Sequence, residues 1–215
     1  MSTINVDNIA EYTSSGKINA THDIKMASGK KVLNSDGHEV GAMVLLGSET
    51  LSSTSAVDFF TATTGWTSSL YSSMRIVCNT IKMSGDGNRL YLKFYGGTTL
   101  RTGTLEQGGY QARVDASGSG YYGGNDYTDL WEPLPLGIGN DGREGITVEV
   151  DVYPSNGTTS TTILARGVSE STAGQVWYQT MGGHYDSTAS IDGVRVYASS
   201  GSFSSGTIHF YGITK

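Results

Sequence analysis

From residue 42 onward, apolar and polar positions alternate with a period of two. In "MRIVCNTIKM", Met74, Ile76 and Cys78 fall on one parity and Arg75, Val77 and Asn79 on the other. In "ITVEVDVY", Val148, Val150 and Val152 alternate with Glu149 and Asp151. A period of two places successive side chains on opposite faces of a strand. "AMVLLG", "AVDFF", "GYQARV", "TTILARGV", "QVWYQTM", "GVRVYA" and "TIHFYGI" read as further strands. The stretch "SGDGNRLYLKFYGG" reads as a hairpin, because Asp86-Gly87 or Gly87-Asn88 takes the positive φ values of a tight turn. No window carries a helical stripe of useful length, so an alternating βαβ fold is excluded. Nine or ten short strands separated by Gly, Ser and Asn turns predict an all-β fold, an antiparallel β-sandwich of jelly-roll type over residues 42–215.

The first forty-odd residues follow a different regime. Of 21 aromatic residues only Tyr12 precedes Phe59, and all seven Arg lie from Arg75 onward. The apolar residues Ile4, Val6, Ile9, Ile18, Ile24 and Met26 are too sparse to form a core. Residues 1–41 therefore read as an extended arm that anchors to, or intertwines with, something else; the plainer alternative is an edge-strand extension. Fully extended, such an arm reaches roughly 130 Å at ~3.3 Å per residue.

Composition supports a strand-and-turn chain, with 30 Gly, 13 Tyr and only 16% charged residues among 215. The net charge of −6 comes with no basic run to track a phosphate backbone, so no nucleic-acid partner is expected. No apolar run approaches the roughly 20 residues that span a bilayer, so no membrane insertion is expected. The start "MSTINVDNIAEYTSSGK" lacks a basic-then-apolar leader pattern and predicts synthesis in the cytoplasm. Cys78 is the single cysteine, which rules out an internal disulfide.

Catalytic chemistry has little support. The four histidines, His22, His38, His184 and His209, show no metal-ligand spacing, and no serine sits in a GxSxG elbow. No catalytic residue, metal or cofactor is expected. Glu149 and Asp151 share one strand face, roughly 7 Å apart. They read either as the polar outer side of a half-buried strand or as an acid and base pair of a glycan-active enzyme. The stretch "SGSGYYGGNDYTDLWEPLPLGIGNDG" reads as too irregular for a strand and too aromatic for an inert loop. Its Tyr121, Tyr122, Asn125, Asp126, Tyr127, Asp129 and Trp131 form a candidate glycan- or partner-binding loop of stacking rings and short polar groups. The alternative is that Trp131 and the Leu-Pro-Leu run cap one end of the sandwich or pack on a neighbouring subunit.

The final stretch "SSGTIHFYGITK" places Ile208 and Phe210 on the core face of a last strand and His209 and Tyr211 on the other. An aromatic on that second face makes His209 and Tyr211 candidate subunit contacts. The tail "SIDGVRVYASSGSFSSGTIHFYGITK" resembles the C-terminal pattern of virion structural proteins of tailed bacteriophages, marine ones in particular. The matching residues are Val194, Val196, Tyr197, Ser199, Ser200, Gly201, Phe203, Ser205, Gly206, Thr207, Tyr211, Gly212 and Ile213. "MRIVCNTIKMSGDGNRLYLKFYGG" and "GITVEVDVYPSNGTTSTTILARG" resemble the early hairpin and middle strands of the same domain, and the arm is similar to stalk segments of tail fibres.

The resemblance implies a jelly-roll-like head that forms a homotrimer, on an arm that docks to other virion proteins such as portal, tail or major capsid protein. It implies localisation to the virion and no enzymatic activity, and the Tyr121–Trp131 loop adds a host surface glycan as an expected further contact. A short fibre or spike is the first reading. A capsid decoration (cement) protein and a free carbohydrate-binding module are the alternatives.

Overall fold

The computed structural model describes residues 43–113, 130–155 and 157–215, together with the backbone of 119–128. These belong to the second of the chain's two units, Gly41–Lys215. The six apolar positions assigned to the arm, Ile4 to Met26, lie outside the described residues.

Twelve strands follow in order: β1 (Met43–Thr50), β2 (Ala56–Phe60), β3 (Tyr71–Met83), β4 (Leu90–Gly96), β5 (Thr99–Leu100), β6 (Thr104–Arg113), β7 (Ser119–Thr128), β8 (Ile146–Tyr153), β9 (Thr161–Glu170), β10 (Val176–Tyr185), β11 (Gly193–Ala198) and β12 (Phe203–Thr214). One helical turn, α1 (Thr61–Thr64), follows β2, and these are the elements of the described residues. An eight-stranded sheet runs β1-β12-β3-β8-β9-β10-β6-β7, and a four-stranded sheet runs β2-β11-β4-β5. All pairings between strands are antiparallel. The sandwich expected from the alternation is present, with unequal layers.

The alternation explains which side chains meet between the layers. Met74, Ile76 and Cys78 of β3, Val148, Val150 and Val152 of β8, and Ile208 and Phe210 of β12 are fully buried on the inner face of the large sheet. Leu90, Leu92 and Phe94 of β4 and Val194 and Val196 of β11 face them from the small sheet. The clearest contact across the layers is Phe59 on Phe210, with ring centroids 5.3 Å apart and planes inclined by 6°. Each such side chain taken from water contributes about 1.5–3 kcal/mol before the entropy of ordering is counted.

Two expectations are corrected. The "SGDGN" turn does not close a hairpin: β3 lies in the large sheet and β4 in the small one. Gly87, at φ +73°, turns the chain across the gap between layers, and its N–H donates to the Ile138 carbonyl at 3.0 Å. The glycine makes the turn, but a turn does not decide which sheet the next strand joins. The stretch after Ser117 is also more regular than its composition implies. Ser119–Thr128 is a strand that pairs with β6 across a bulge. Glycine in a strand is unfavourable in isolation, and a paired neighbour overrides that preference.

The segment from Trp131 to Gly139 closes one flank. Trp131 and Leu92 exchange backbone hydrogen bonds of 2.9 and 2.8 Å, and Ile138 bridges Asn88 before the small sheet and Ser171 at the end of β9. Trp131, Glu132, Leu134 and Ile138 are all fully buried. The Glu132 carboxylate accepts from Arg89 at 2.9 Å, and the Glu132 N–H donates to Gln107 Oε1 at 2.9 Å. Gly183 is required here, because a Cβ would lie 2.2 Å from the Glu106 carbonyl and 2.7 Å from Trp131 Nε1.

Candidate functional site

The outward face of the large sheet carries two arginine–carboxylate pairs and several exposed apolar side chains. Register aligns Ser48, His209, Val77, Glu149, Arg166, Thr180 and Tyr110 in one row across seven of the eight strands. The neighbouring row is Leu45, Tyr211, Arg75, Asp151, Leu164, Gly182 and Gly108. Residues in register share a face, so each row is a line of neighbours about 5 Å apart.

Charge within these rows is matched pair by pair. Arg75 donates through Nε and Nη2 to the two Asp151 oxygens at 2.6 and 2.9 Å. Arg166 donates through Nε and Nη2 to Glu149 Oε2 at 3.0 and 2.8 Å. The hydrogen bonds that Arg75 donates to Asp151 raise its pKa above its ordinary value against the opposing effect of burial. Arg75 engages both Asp151 oxygens in a forked pairing, whereas the two Arg166 donors converge on one Glu149 oxygen, and each pair balances its own charge.

Apolar groups fill the space around the pairs. The large hydrophobic residues left most open are Met43 (47%), Leu45 (53%), Tyr153 (44%), Leu164 (49%), Val168 (43%) and Tyr178 (42%). Every one of them sits on this face, on β1, β8, β9 or β10. In an ordinary half-buried sheet those positions are polar.

The residues singled out in the sequence are distributed as follows. Phe210 is core, as the alternation required. His209 and Tyr211 lie on the outward face, half-buried, with ring centroids 6.2 Å apart, and His209 Nδ1 is 2.9 Å from Ser48 Oγ on β1. Tyr121, Tyr122, Asn125, Asp126 and Tyr127 are on β7, in register with Tyr110, Gly109, Gln107, Glu106 and Leu105. Asp129 lies outside the described residues. Trp131 is withdrawn from the binding loop: it is fully buried in the flank of the sandwich, as the capping alternative had it. An indole followed by Leu-Pro-Leu buries more apolar surface as a plug than as a platform.

Glu149 and Asp151 do share a face, and each is held by an arginine from a neighbouring strand. The small sheet carries a similar pair: Arg195 donates to both Asp58 oxygens at 2.6 and 2.8 Å, and its guanidinium lies 5.9 Å from the Tyr95 ring centroid. Among the described residues no group of three His, Cys, Asp or Glu could hold a metal ion. A cleft of about 490 Å³ opens at one end of the sandwich, lined by Ser68, Tyr71, Ser72, Ser155, Ser190 and Lys215. Its Ser72 and Ser155 hydroxyls already donate to backbone carbonyls.

Leu164, Val168 and Tyr178 escaped the sequence reading, although a signal was there. In "TTILARGV" Ile163, Leu164 and Ala165 put apolar groups on both parities, which a strand with one wet face does not need. No family model, no curated protein and no solved structure matches this chain.

Proposed function

We propose that this chain is a non-enzymatic structural protein of a tailed-phage virion. It works as a short fibre or spike whose first forty-odd residues dock on the particle and whose β-sandwich projects as a homotrimer. The sandwich also offers a surface for a host glycan. The observation that carries the non-enzymatic half is the state of Glu149 and Asp151. Glycoside hydrolysis needs one carboxyl free to give up a proton and its partner free to attack or to activate water. Here both carboxylates already accept from guanidiniums, Asp151 through both oxygens and Glu149 through Oε2. The virion half rests on the resemblance of the C-terminal strands and on the two-part composition.

The test is deletion of residues 1–40 followed by particle assembly. The truncated protein should remain folded and be missing from purified particles. Normal incorporation would remove the anchoring role. Labelling the intact protein on particles reads its position, and a head-lattice position would replace the fibre with a decoration protein. Release of sugar from host polysaccharide, abolished by Glu149→Gln, would overturn the non-enzymatic reading.

A further inference from the structure

We infer that the cleft of about 490 Å³ at one end of the sandwich is a saccharide site, shaped for a neutral mono- or disaccharide unit. The inference rests on the host-glycan contact in the reading above and gives that contact a place. It moves the contact away from the stretch around Tyr121, whose Trp131 is a buried plug.

The first observation is shape. The cleft opens where strands end: Tyr71 and Ser72 begin β3, Pro154 and Ser155 follow β8, and Ser190 precedes β11. Its volume falls within the ~300–1,000 Å³ of small-molecule sites.

The second is a deep hydroxyl. Tyr71 lines the cleft and is only 7% exposed. Its ring lies against the backbone of Gly212, where a Cβ would come 2.4 Å from Tyr71 Cδ1. Among the described residues nothing hydrogen-bonds the Tyr71 hydroxyl. A phenol this deep is costly to leave unpaired, and the cleft is the side from which a partner reaches it. Burial raises its pKa above the ordinary value, so it stays a donor at neutral pH.

The third is what the lining leaves on offer. Ser155 is 8% exposed and held at three points. Its N–H donates to Thr161 Oγ1 at 3.0 Å, its hydroxyl donates to the Thr188 carbonyl at 2.8 Å, and that oxygen accepts from the Gly157 N–H at 3.0 Å. The Ser72 hydroxyl donates to the Ile213 carbonyl at 3.2 Å. Both serine protons are committed, and what remains is lone pairs. An anion has no proton to give them. A sugar hydroxyl donates to a serine oxygen and accepts from Tyr71, while Pro154 and the Tyr71 ring offer apolar surface to its C–H face. Lys215 is the one charged side chain in the lining, and an ammonium donates to a sugar hydroxyl as well as to an anion. The test therefore separates the two.

The full chain is titrated separately with glucose, galactose, mannose, glucuronate and inorganic phosphate, by calorimetry and saturation-transfer NMR. At least one neutral sugar should bind in the millimolar range, and more tightly than either anion. Tyr71→Phe keeps the ring on Gly212 and removes only the hydroxyl. It should weaken binding about fivefold, the worth of one hydrogen bond, with the melting profile unchanged. Ser190→Trp, at an exposed position, fills the cleft and should abolish binding. Tyr178→Ala, on the outward face of the large sheet, should leave binding as it is. No binding of any neutral sugar at tens of millimolar overturns the proposal. So does tighter binding of glucuronate or phosphate, which would make the cleft an anion site at Lys215. Sugar binding that survives both Tyr71→Phe and Ser190→Trp overturns it too. A protein that enters particles normally but binds no sugar strikes the cleft and leaves the virion reading intact. A sugar-binding protein that is missing from particles does the reverse.

Discussion

Phe210 tests whether two layers really meet where the alternation of the last strand says they do. Its ring lies almost parallel to that of Phe59, at 5.3 Å, and belongs to the large sheet while Phe59 belongs to the small one. Neither ring is more than 5% exposed. Phe210→Ala removes the buried ring and leaves a cavity between rigid layers, at a cost of about 3–5 kcal/mol. For a domain of this size that corresponds to a fall in melting temperature of roughly 6–20 °C, at ~2–4 °C per kcal/mol. The stacked pair itself accounts for about 0.5–1.5 kcal/mol of the loss. A double-mutant cycle with Phe59→Ala isolates that part, since the second truncation should cost less once the first ring is gone. Tyr211→Ala, one position on and facing outward, is the internal control. Urea unfolding at neutral pH on all five proteins supplies the numbers. A Phe210→Ala cost below ~1 kcal/mol, or one smaller than that of Tyr211→Ala, would show that the last strand is in the wrong register.

Other consequences are accessible to simple assays. Cys78 should resist thiol reagents in the native protein at pH 8 and react fully after unfolding, because burial pushes its pKa up to about 12; native labelling at the rate of a free thiol would contradict its place in the core. Asp58 is pulled upward by burial, but hydrogen bonds from Arg195 and Tyr95 more than offset this and hold its pKa below 3.8. Its contribution to stability is therefore complete above its unfolded value and lost as pH falls through the lower folded value. The stability gap between wild type and Asp58→Asn should thus close on acidification below about pH 4, and a gap that widens there would reverse the sign. Removing Arg89, as in Arg89→Leu, takes a partner from a carboxylate with no solvent exposure, whereas Glu132→Gln leaves a guanidinium that is 41% exposed. The first change should cost about 3–5 kcal/mol, and equal or inverted costs by urea unfolding would refute the asymmetry.

Much of the body was legible because its strands obey one simple constraint. A strand that packs against another layer must alternate, and β3, β8 and β12 do so residue by residue. Their core members, from Met74 to Phe210, could be named from the sequence. Arg75, Glu149 and Asp151 could be placed outward by the same rule. What pairs with them could not. The ion pairs join strands that are 76 and 17 residues apart along the chain, and period-two patterning carries no information about which strands are neighbours.

The same limit explains the failures. Gly87 announces a turn, but the sheet joined by β4 depends on where its apolar face finds a partner, not on the turn. Trp131 looks like a surface ring beside Pro133 and Pro135 until the flank of the sandwich is seen to be open without it. The outward face of β9 and β10 is the sharpest instance. Each of Leu164, Val168 and Tyr178 is unremarkable in its own strand, since single exposed hydrophobics are common. Only the register of three strands assembles them on one face around two neutral ion pairs. The sequence alone determined which side of each strand is dry. Tertiary structure decided which dry and wet sides lie next to one another, because strand pairing is set by long-range burial that no local pattern encodes.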